Sequence, residues 1–394
     1  MSARRTAVAL VAMSALLAGC GEDEPSDADD TETPTTTESS TDSETDRTTE
    51  PPEPPEPPEP SSDPTTGAGG KPEVAGTVAS GLSVPWGLDF LPDGRAVVTE
   101  RDTARVLVIT PAEGAGEGEV VEVGRIPETA PQGEAGLLGV AVSPDFERDR
   151  SLYFYVCTAE DNRVVRAELD GDRLGDTEPV LTGIPGGFIH DGGRLEFGPD
   201  GFLYVSTGEI GEDDLARERT GYAGKILRIT PSGEPAPGNP FGDEVWSWGH
   251  RNVQGLAFDE DGRLWASEFG SSSFDELNLI EAGDDYGWPT VEGTGGEPDY
   301  HDPAVTWPVD EASPSGLAYL DGALWMAALR GERLWQIPVD GATTGEPTPH
   351  FAGDYGRLRT VVVAPDGRLW LTTSNHDGRG DPAAEDDRIL VVEH

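Results

Sequence analysis

The stretch Leu195–Glu209, LEFGPDGFLYVSTGE, has the pattern of a β-hairpin. Two apolar runs flank a Pro-Asp-Gly turn, and Asp-Gly between such runs is a strong short-range hairpin signal. His190, one of six histidines in the chain, stands just before the first predicted strand. Other copies of this hairpin therefore decide whether His190 is an isolated polar residue or belongs to a set.

The hairpin pattern occurs six times, and five of the six copies have Asp-Gly at the turn. The copies begin at Leu88, Val140, Leu195, Leu256, Leu317 and Val361. Their starts are 44 to 61 residues apart, which leaves room for about four strands of ordinary length in each interval. Repeated four-stranded sheets of this kind are the blades of a β-propeller. We therefore predict an all-β, six-bladed β-propeller; the alternative, a β-sandwich, gives no reason for six similar hairpins.

The first 20 residues have the composition of a secretion signal. Arg4 and Arg5 precede an apolar stretch that is too short to span a bilayer. The stretch ends in Leu-Ala-Gly-Cys, which resembles the bacterial lipobox, in which the cysteine is lipidated after cleavage. We expect an exported cell-envelope lipoprotein, anchored through Cys20 with its domain outside the cytoplasmic membrane. The alternative is an ordinary signal peptide with a cysteine there by chance.

Residues 21–75 contain almost nothing apolar, and they hold 17 acidic residues against two basic ones. Such a segment cannot offset the entropy of ordering, so we expect a disordered acidic linker rich in Pro, Thr and Ser. The PPEPPEPPEP part should be extended and stiff. The propeller domain is then predicted to span residues 76–394.

The chain has a formal net charge of −48. Nucleic-acid binding by counterion release needs basic residues, so this composition excludes nucleic acid as a partner. Contact with a membrane is expected only through the N-terminal lipid. Cys157 is the single cysteine of the predicted domain, and no disulfide can form within it.

In a propeller, the first strand of each blade lines the central channel, so the residues just before it lie at one mouth. The residues at these six positions are Trp86, Glu134, His190, Arg251 with Asn252, Ser313 with Ser315, and Arg357 with Arg359. Each alone is explained as a polar residue that satisfies a turn. Together they predict a ring of polar groups in which histidine is the residue type best suited to proton transfer near neutral pH.

Residues from about Val74 to the end resemble the soluble quinoprotein sugar dehydrogenases of the glucose/sorbosone dehydrogenase family, in their aldose sugar dehydrogenase branch. The resemblance is carried by motifs along the whole domain: VPWGLDFLPDG, GEAGLLGVAVSPDF, HDGGRLEFGPDGFLYV, GHRNVQGLAF, LRGERLW and GRLRTVVVAPDG. It implies a six-bladed propeller that binds pyrroloquinoline quinone (PQQ) and calcium at one mouth. The implied partners are a small sugar and an electron acceptor such as a quinone, a dye or a cytochrome.

The resemblance also implies roles for individual residues. His190 would take the proton of the anomeric hydroxyl while a hydride passes to the quinone, and Arg251 and Asn252 would stabilise charge on the quinone. The implied cofactor-binding residues are Glu134, Arg251, Asn252, Arg330, Arg357, Arg359 and Trp307. The cofactor's calcium would take main-chain carbonyls of Gly270 and Ser271, and a structural calcium would use Glu276 and Tyr286; a solvated loop acid is the alternative for Glu276.

Five positions depart from the family's usual residues. Glu134 stands where glutamine is common, Arg330 replaces a lysine and Ser271 replaces a proline. Ile189 and Ile210 replace polar residues of the glucose enzymes. Oxidation of an aldose to its lactone is the favoured function. A non-catalytic propeller that binds a sugar or another ligand is the second, and a calcium lactonase, which does not need His190, is the third.

Overall fold

The computed structural model describes residues 71–112, 116–296 and 298–394. The predicted signal peptide, Cys20 and nearly all of the predicted linker lie outside the described residues. Six antiparallel sheets make up the described chain. The first strands of successive sheets contact one another, and the last contacts the first. The sheets therefore form a closed ring, which confirms the all-β, six-bladed β-propeller.

The first half of the chain forms three blades, preceded by strand β1 (Glu73–Ala79). Blade one contains β2 (Pro85–Phe90), β3 (Ala96–Glu100), β4 (Arg105–Thr110) and β5 (Glu119–Arg125). Blade two contains β6 (Leu137–Val142), β7 (Ser151–Cys157), β8 (Asn162–Asp170), β9 (Arg173–Leu174) and β10 (Glu178–Ile184). Blade three contains β11 (Leu195–Phe197), β12 (Leu203–Ser206), β13 (Lys225–Ile229) and β14 (Val245–Trp248).

The second half forms the remaining blades. Blade four contains β15 (Val253–Phe258), β16 (Leu264–Glu268), β17 (Phe274–Ile280) and β18 (Val305–Pro308). Blade five contains β19 (Pro314–Leu320), β20 (Ala323–Ala328), β21 (Arg333–Asp340), β22 (Thr343–Thr344) and β23 (Thr348–His350). Blade six contains β24 (Leu358–Val363), β25 (Leu369–Thr373) and β26 (Ile389–Glu393). In every blade the first two strands are the hairpin of the sequence repeat.

Two helices of one turn interrupt the strands. Helix α1 (Phe146–Asp149) lies where the second hairpin lacks Asp-Gly, and α2 (Asp214–Arg217) lies between β12 and β13. No helix of the described residues is long and apolar enough to cross a membrane.

Blade six is completed by the beginning of the chain. Strand β1 pairs antiparallel with β26, from Glu73 opposite Glu393 to Ala79 opposite Ile389. The domain therefore begins before the predicted boundary at residue 76, and residues 73–75 belong to a strand instead of the linker. The prediction failed there because the sheet supplies backbone hydrogen-bond partners that the local composition does not reveal.

Six apolar clusters fill the spaces between neighbouring blades, one for each pair. Between blades two and three, for example, Tyr153 and Tyr155 pack against Leu203 and Leu227. Because every blade buries one face against each neighbour, the ring is stabilised by burial of apolar surface all the way round. This packing therefore fixes the orientation of each blade relative to its neighbours. The orientation determines which residues reach the channel.

The inner strands approach one another too closely for side chains at one position. The residue that precedes the repeat is glycine in four blades: Gly87, Gly139, Gly255 and Gly316. A Cβ on Gly316 would lie 2.7 Å from Cα of Thr360, and one on Gly255 would lie 2.2 Å from the carbonyl oxygen of Ser315. The same position holds Arg194 in blade three and Thr360 in blade six, so these two side chains take the space that the glycines leave.

A buried polar layer consequently closes the channel below the mouth. Its members are Trp86, Arg194, Gln254, Ser315, Arg359 and Thr360, none more than 7% exposed. Arg194 donates from Nη2 to Oγ1 of Thr360 (3.2 Å), and its guanidinium lies 4.4 Å from the ring centroid of Trp86. Ser315 donates to Oε1 of Gln254 (3.0 Å). Trp86 and Ser315, both predicted to lie at the mouth, thus lie beneath it.

A candidate active site at the channel mouth

A cavity of about 340 Å³ opens at the mouth of the channel, above the polar layer. It is lined by Glu134, His190, Asn252, Phe269, Ser313, Arg330, Arg357 and Arg379. These residues come from five blades, and four of them immediately precede an inner strand or lie within three residues of it. The predicted convergence of polar groups is confirmed, and the volume lies within the range of small-molecule sites.

His190 adopts a left-handed backbone conformation with φ of 58°. A residue other than glycine in this region costs about 1–3 kcal/mol, and such strain persists only where the surroundings impose it. Here the His190 amide donates to Oε2 of Glu134 (3.2 Å), and its carbonyl accepts from the Ile210 amide (3.2 Å). The two contacts hold the residue with its ring at the cavity.

The His190 ring has a partner on each nitrogen. Nδ1 lies 2.6 Å from Oε1 of Glu209, and Nε2 lies 3.1 Å from Nη2 of Arg251. A guanidinium can only donate, so Nε2 accepts and Nδ1 carries the proton that Glu209 accepts. This leaves Nε2 as the basic nitrogen. Glu209 was not predicted, although it ends the quoted hairpin.

Arg251 lies between His190 and the loop after β16. Its Nη1 donates to the Gly270 carbonyl (2.6 Å), and its backbone amide donates to Glu268. Its Nε is buried and has no hydrogen-bond partner among the described residues. Nε lies 3.9 Å from Oε1 of Glu209. Arg251 is not among the lining residues of the 340 Å³ cavity and lines a smaller cavity beside it, so it adjoins the site through its contact with Nε2 of His190.

Asn252 is 1% exposed but lines the cavity. Its Oδ1 accepts from the Gly192 amide (3.1 Å), which fixes the orientation of the side chain. The amide group on the other side is left as a donor toward the cavity. Asn252 and Arg251 are therefore neighbouring donors at the site, and their contact with a quinone stays a prediction.

Glu134 is paired with Arg379, which the sequence did not single out. Nη1 of Arg379 donates to Oε1 of Glu134 (2.8 Å). Burial alone would raise the pKa of Glu134, but the hydrogen bond and charge of Arg379, together with the His190 amide, hold that pKa below its ordinary value. Glu134 is thus a carboxylate whose charge Arg379 offsets.

The other predicted arginines differ in position. Arg330 is exposed at the rim and forms no ion pair with the described residues. Arg357 lines the cavity and donates from Nε to Asp377 (2.9 Å). Arg359 is instead 4% exposed in the polar layer, where burial lowers its pKa to about 9. Its Nη2 lies 3.6 Å from Asp377, so Arg359 supports the Asp377–Arg357 pair from below and does not line the cavity.

Trp307, which was predicted to contact the cofactor, does not line the cavity. Trp307 lies on β18, the outermost strand of blade four, and is 4% exposed in the apolar cluster between blades four and five. Its ring centroid lies 5.7 Å from that of Trp335. The Trp307 side chain packs in the cluster between blades four and five, and Trp307 is not among the residues that line the cavity.

The predicted calcium residues lie around a second, much smaller cavity of about 10 Å³ beside Arg251. Gly270, Glu276 and Tyr286 are among its lining residues, with Glu268 and Glu292. Burial, and then the charge of Glu268, raise the pKa of Glu276. Glu276 lies on β17 and its Oε1 accepts from the Gly293 amide (2.7 Å), so it is not a solvated loop acid. Ser271 lies beside it and donates its amide to Glu292 (2.6 Å).

The donor chemistry of this small cavity fits a hard cation only in part. Carboxylate and carbonyl oxygens are the ligands that calcium prefers. Among residues 71–112, 116–296 and 298–394, however, no three His, Cys, Asp or Glu side chains form a metal-binding group. A cation here would therefore depend on main-chain carbonyls as well.

A third cavity, of about 380 Å³, opens at the opposite end of the channel. Its lining is largely strand backbone and apolar side chains, with Asp89 and Glu196 as its carboxyl groups and Arg194 at its base. Burial raises the pKa of Asp89 to about 6 and that of Glu196 to about 8. We place the functional site at the His190 mouth, because a base, its orienting carboxylate and several cations converge there.

Residues 82–384 match the family model described as glucose/sorbosone dehydrogenase. Among solved structures, the PQQ-bound aldose sugar dehydrogenase of Streptomyces coelicolor is 52% identical, with a TM-score of 0.79, over 82% of this chain and 98% of that one. A putative oxidoreductase (glucose dehydrogenase) of Thermus thermophilus is 43% identical, with a TM-score of 0.76, over 82% and 99%. The aldose sugar dehydrogenase of Escherichia coli K12 is 28% identical over 75% of this chain and 89% of its own length.

Proposed function

We propose, because the chain belongs to the glucose/sorbosone dehydrogenase family, that it oxidises an aldose at the anomeric carbon to the lactone with PQQ and calcium. The observation that carries the proposal is the Glu209–His190–Arg251 set, in which one nitrogen of the base is held by a carboxylate and the other faces a cation. A solved relative with 52% identity is the PQQ-bound aldose sugar dehydrogenase of Streptomyces coelicolor.

The residues of the mouth fit a tricarboxylate such as PQQ. Arg330 lines the cavity and has no ion-pair partner among the described residues, and Arg251 contacts the base beside it. Arginine binds carboxylates through two parallel hydrogen bonds. We infer that Arg251, Asn252, Arg330 and Arg357 hold the cofactor, with Arg379 offsetting the charge of Glu134.

PQQ, when bound, supplies the acceptor for the hydride of the anomeric carbon. The chain's own task is to remove the hydroxyl proton and to orient the sugar. Nε2 of His190 takes this proton, while Glu209 stabilises the imidazolium that results. Arg251 and Asn252 are preorganised donors for charge that develops on the acceptor. Gly270, Ser271, Glu276 and Tyr286 are the residues that we propose for calcium.

Reconstitution tests this function directly. Apo-protein titrated with PQQ in the presence of calcium should show saturable binding by absorbance at micromolar cofactor. It should then gain sugar-dependent reduction of a dye, with magnesium a poor substitute for calcium. PQQ binding without oxidation of any of a panel of aldoses would exclude the proposed reaction. Absence of PQQ binding would favour the alternative of a non-catalytic binding module.

We also propose that the domain is exported and anchored through lipid on Cys20. The support is the Leu-Ala-Gly-Cys sequence after a short apolar stretch. Cys20→Ser should release the protein from the membrane fraction into the medium with unchanged specific activity. Retention of the variant with the membrane would contradict the anchor.

A further inference from the structure

The cavity of about 380 Å³ at the end of the channel away from His190 has no role in the proposed function. We name it the opposite cavity. The inner strands of all six blades contribute to its lining, and the polar layer of Arg194 and Thr360 lies between it and the candidate active site. Its volume lies within the range of small-molecule sites. The opposite cavity is therefore a separate candidate for a ligand.

The first three residues of each hairpin repeat form three levels of the opposite cavity. The first residue is apolar in all six copies. The second is alanine or valine in four copies and acidic in two, at Asp89 and Glu196. The third, at the outer level, is aromatic in four copies: Phe90, Phe197, Phe258 and Tyr319. The two acidic residues thus stand between apolar levels, where a negative charge is costly unless a partner of opposite charge is present.

The two acidic residues differ in their hydrogen bonds. Oδ1 of Asp89 accepts from the Phe90 amide (2.7 Å), and its Oδ2 accepts from the Val142 amide of blade two (2.7 Å). Glu196 is partly exposed, and its carboxyl group accepts no hydrogen bond from the described residues. A carboxyl group with unused acceptors in apolar surroundings gains free energy from a donor that reaches it. Glu196 therefore has the capacity to bind a donor in the opposite cavity.

The charges of the opposite cavity favour a cation as this donor. Its lining contains two carboxyl groups but one cationic side chain, Arg194 at its base; Tyr319 is the other titratable lining residue. Burial, and then the charge of Asp89, raise the pKa of Glu196 to about 8, although Arg194 opposes this shift. Near neutral pH Glu196 therefore holds a proton. A cation that binds beside it would replace this proton and supply the positive charge that Arg194 alone does not.

Acidic residues also lie beside the outer level of the opposite cavity. Burial, and then the charges of Glu260, Asp259 and Asp261, raise the pKa of Tyr319. Arg263 pairs with Asp259 (2.8 Å) and with Asp261 (2.6 Å), whereas Glu260 forms no ion pair with the described residues. The chain as a whole has a formal net charge of −48. The potential at the opening therefore attracts cations and repels anions.

We propose that the opposite cavity binds a primary ammonium ion that carries an alkyl chain. The ammonium group donates to Glu196, and the alkyl chain lies along the aromatic outer level toward solvent. A primary ammonium has three N–H donors and no acceptor, which suits a carboxyl group with unused acceptors. Phe197 and Phe258, both partly exposed, offer apolar surface to the chain. This site does not depend on sugar oxidation, since it lies on the other side of the polar layer.

Calorimetric titration of the purified protein with n-hexylamine tests this site, with 1-hexanol and hexanoate as neutral and anionic probes of equal length. Hexylamine should bind at one site per chain, and the other two probes should not bind. Its affinity should exceed that of n-butylamine by about tenfold, because two more CH₂ groups are buried. The affinity should also rise by about tenfold from pH 6.5 to pH 7.5, as Glu196 loses its proton more readily. Titrations near pH 7 in phosphate and in HEPES should show that binding releases nearly one proton.

Glu196→Gln keeps the size of the side chain and removes its charge. It should lower the affinity for hexylamine at pH 8 by about tenfold or more and abolish proton release, with a Tm no lower than that of wild type. Glu178→Gln is the matched control and should change neither, since Glu178 lies on the outermost strand of blade two with its side chain 69% exposed.

Three results would overturn the proposal. Equal binding of 1-hexanol and hexylamine would make the opposite cavity an apolar pocket that does not recognise charge. Unchanged hexylamine binding by Glu196→Gln would place the amine elsewhere on the acidic surface. Absence of saturable hexylamine binding at pH 8 would show that the cavity takes no alkylammonium ion. None of these measurements requires turnover, so the failure of this site and the failure of the proposed function are distinguishable.

Discussion

Oε1 of Glu209 lies 2.6 Å from Nδ1 of His190. The other carboxylate oxygen of Glu209 accepts from the Gly211 amide. Glu209 is 0% exposed, so neither oxygen can be satisfied by bulk water. The carboxylate is therefore committed on both sides, and it determines which nitrogen of His190 carries the proton.

Glu209→Gln should leave the His190 ring in place but move its proton from Nδ1 to Nε2, so that Nε2 can no longer act as the base. The amide oxygen of the new side chain should accept from the Gly211 N–H, because this N–H can only donate and has no other acceptor among the described residues. Its NH₂ then faces Nδ1, which must become an acceptor, and Nε2 takes the proton. We expect kcat to fall by about 10²- to 10⁴-fold with little change in PQQ affinity. An unchanged kcat would show that Glu209 does not control the tautomer.

His190→Gln tests the base itself. Glutamine keeps the approximate size and hydrogen bonding but cannot take a full proton near neutral pH. We expect kcat to fall by about 10²- to 10⁴-fold with PQQ affinity changed less than about tenfold, since most of the proposed cofactor contacts come from arginines. Arg251→Ala should lower both PQQ affinity and kcat. If Glu134→Gln abolished turnover while His190→Gln did not, Glu134 would be the base.

The Glu134–Arg379 pair predicts an effect on cofactor binding that one further substitution reverses. Arg379→Gln leaves the buried carboxylate of Glu134 without its partner, next to the site for a tricarboxylate. PQQ affinity should fall by about tenfold, and the loss should grow as salt is lowered. The double variant Glu134→Gln/Arg379→Gln should recover most of the affinity. Equal affinities of the single and double variants would mean that Arg379 binds the cofactor directly.

Asp191 predicts a dependence of stability on pH. Burial raises its pKa from 3.8 to about 6, and its Oδ2 is buried without a partner. Between about pH 4 and 6 the folded state holds a proton that the unfolded state has lost, so the free energy of unfolding falls as pH rises through this window. Asp191→Asn removes that penalty and keeps an acceptor for the Gly187 amide.

We therefore expect Asp191→Asn to raise the Tm relative to wild type by about 2–5 °C at pH 8 and by less at pH 4. Thermal unfolding at both pH values measures the difference. Asp259→Asn is the control of opposite sign. Burial would raise the pKa of Asp259, but hydrogen bonds from Trp265 and Arg263 hold it below the ordinary value. A Tm gain for Asp191→Asn that did not depend on pH would contradict a raised pKa of Asp191 as the source of the effect.

Truncation at the N-terminus should separate the linker from the fold. Removal of residues 1–70 should leave the Tm of the domain unchanged, because the described sheet begins at Glu73. Removal of residues 1–79 deletes β1 and leaves β26 as an exposed edge. We expect the second truncation to lower the Tm by ten degrees or more, or to yield insoluble protein. A comparable loss in the first truncation would show that residues before 71 pack on the domain.

The hairpin repeat predicted the fold well because it reports local physics. An Asp-Gly turn between apolar strands is encoded within some fifteen residues, and six copies with similar spacing define both blade number and channel. The positions just before each inner strand then follow from topology. This is why Glu134, His190, Asn252, Ser313 and Arg357 were placed correctly at one mouth.

The remaining errors concern contacts that local sequence does not specify. Arg379 belongs to the loop between β25 and β26 of blade six, and it reaches Glu134, which precedes blade two, across the mouth of the closed ring. Glu209 follows the second strand of its hairpin, where a carboxylate is indistinguishable from a solvated one until burial is known. The cofactor-binding role of Trp307 was predicted from the resemblance alone. Trp307 lies on the outer strand β18 and does not line the cavity.

The polar layer of Arg194 and Thr360 lies between the candidate active site and the cavity at the other end of the channel, so we expect sugar and electron acceptor both to use the mouth. Whatever enters must leave by the same route. If the proposed reaction holds, the lactone has to depart before an electron acceptor can approach the reduced cofactor. Turnover would then alternate between two half-reactions that use the same mouth. Double-reciprocal plots of initial rate against sugar concentration, at several acceptor concentrations, would be parallel lines. The close approach of the inner strands at Gly87, Gly139, Gly255 and Gly316 would in this way require the lactone to leave before the electron acceptor binds.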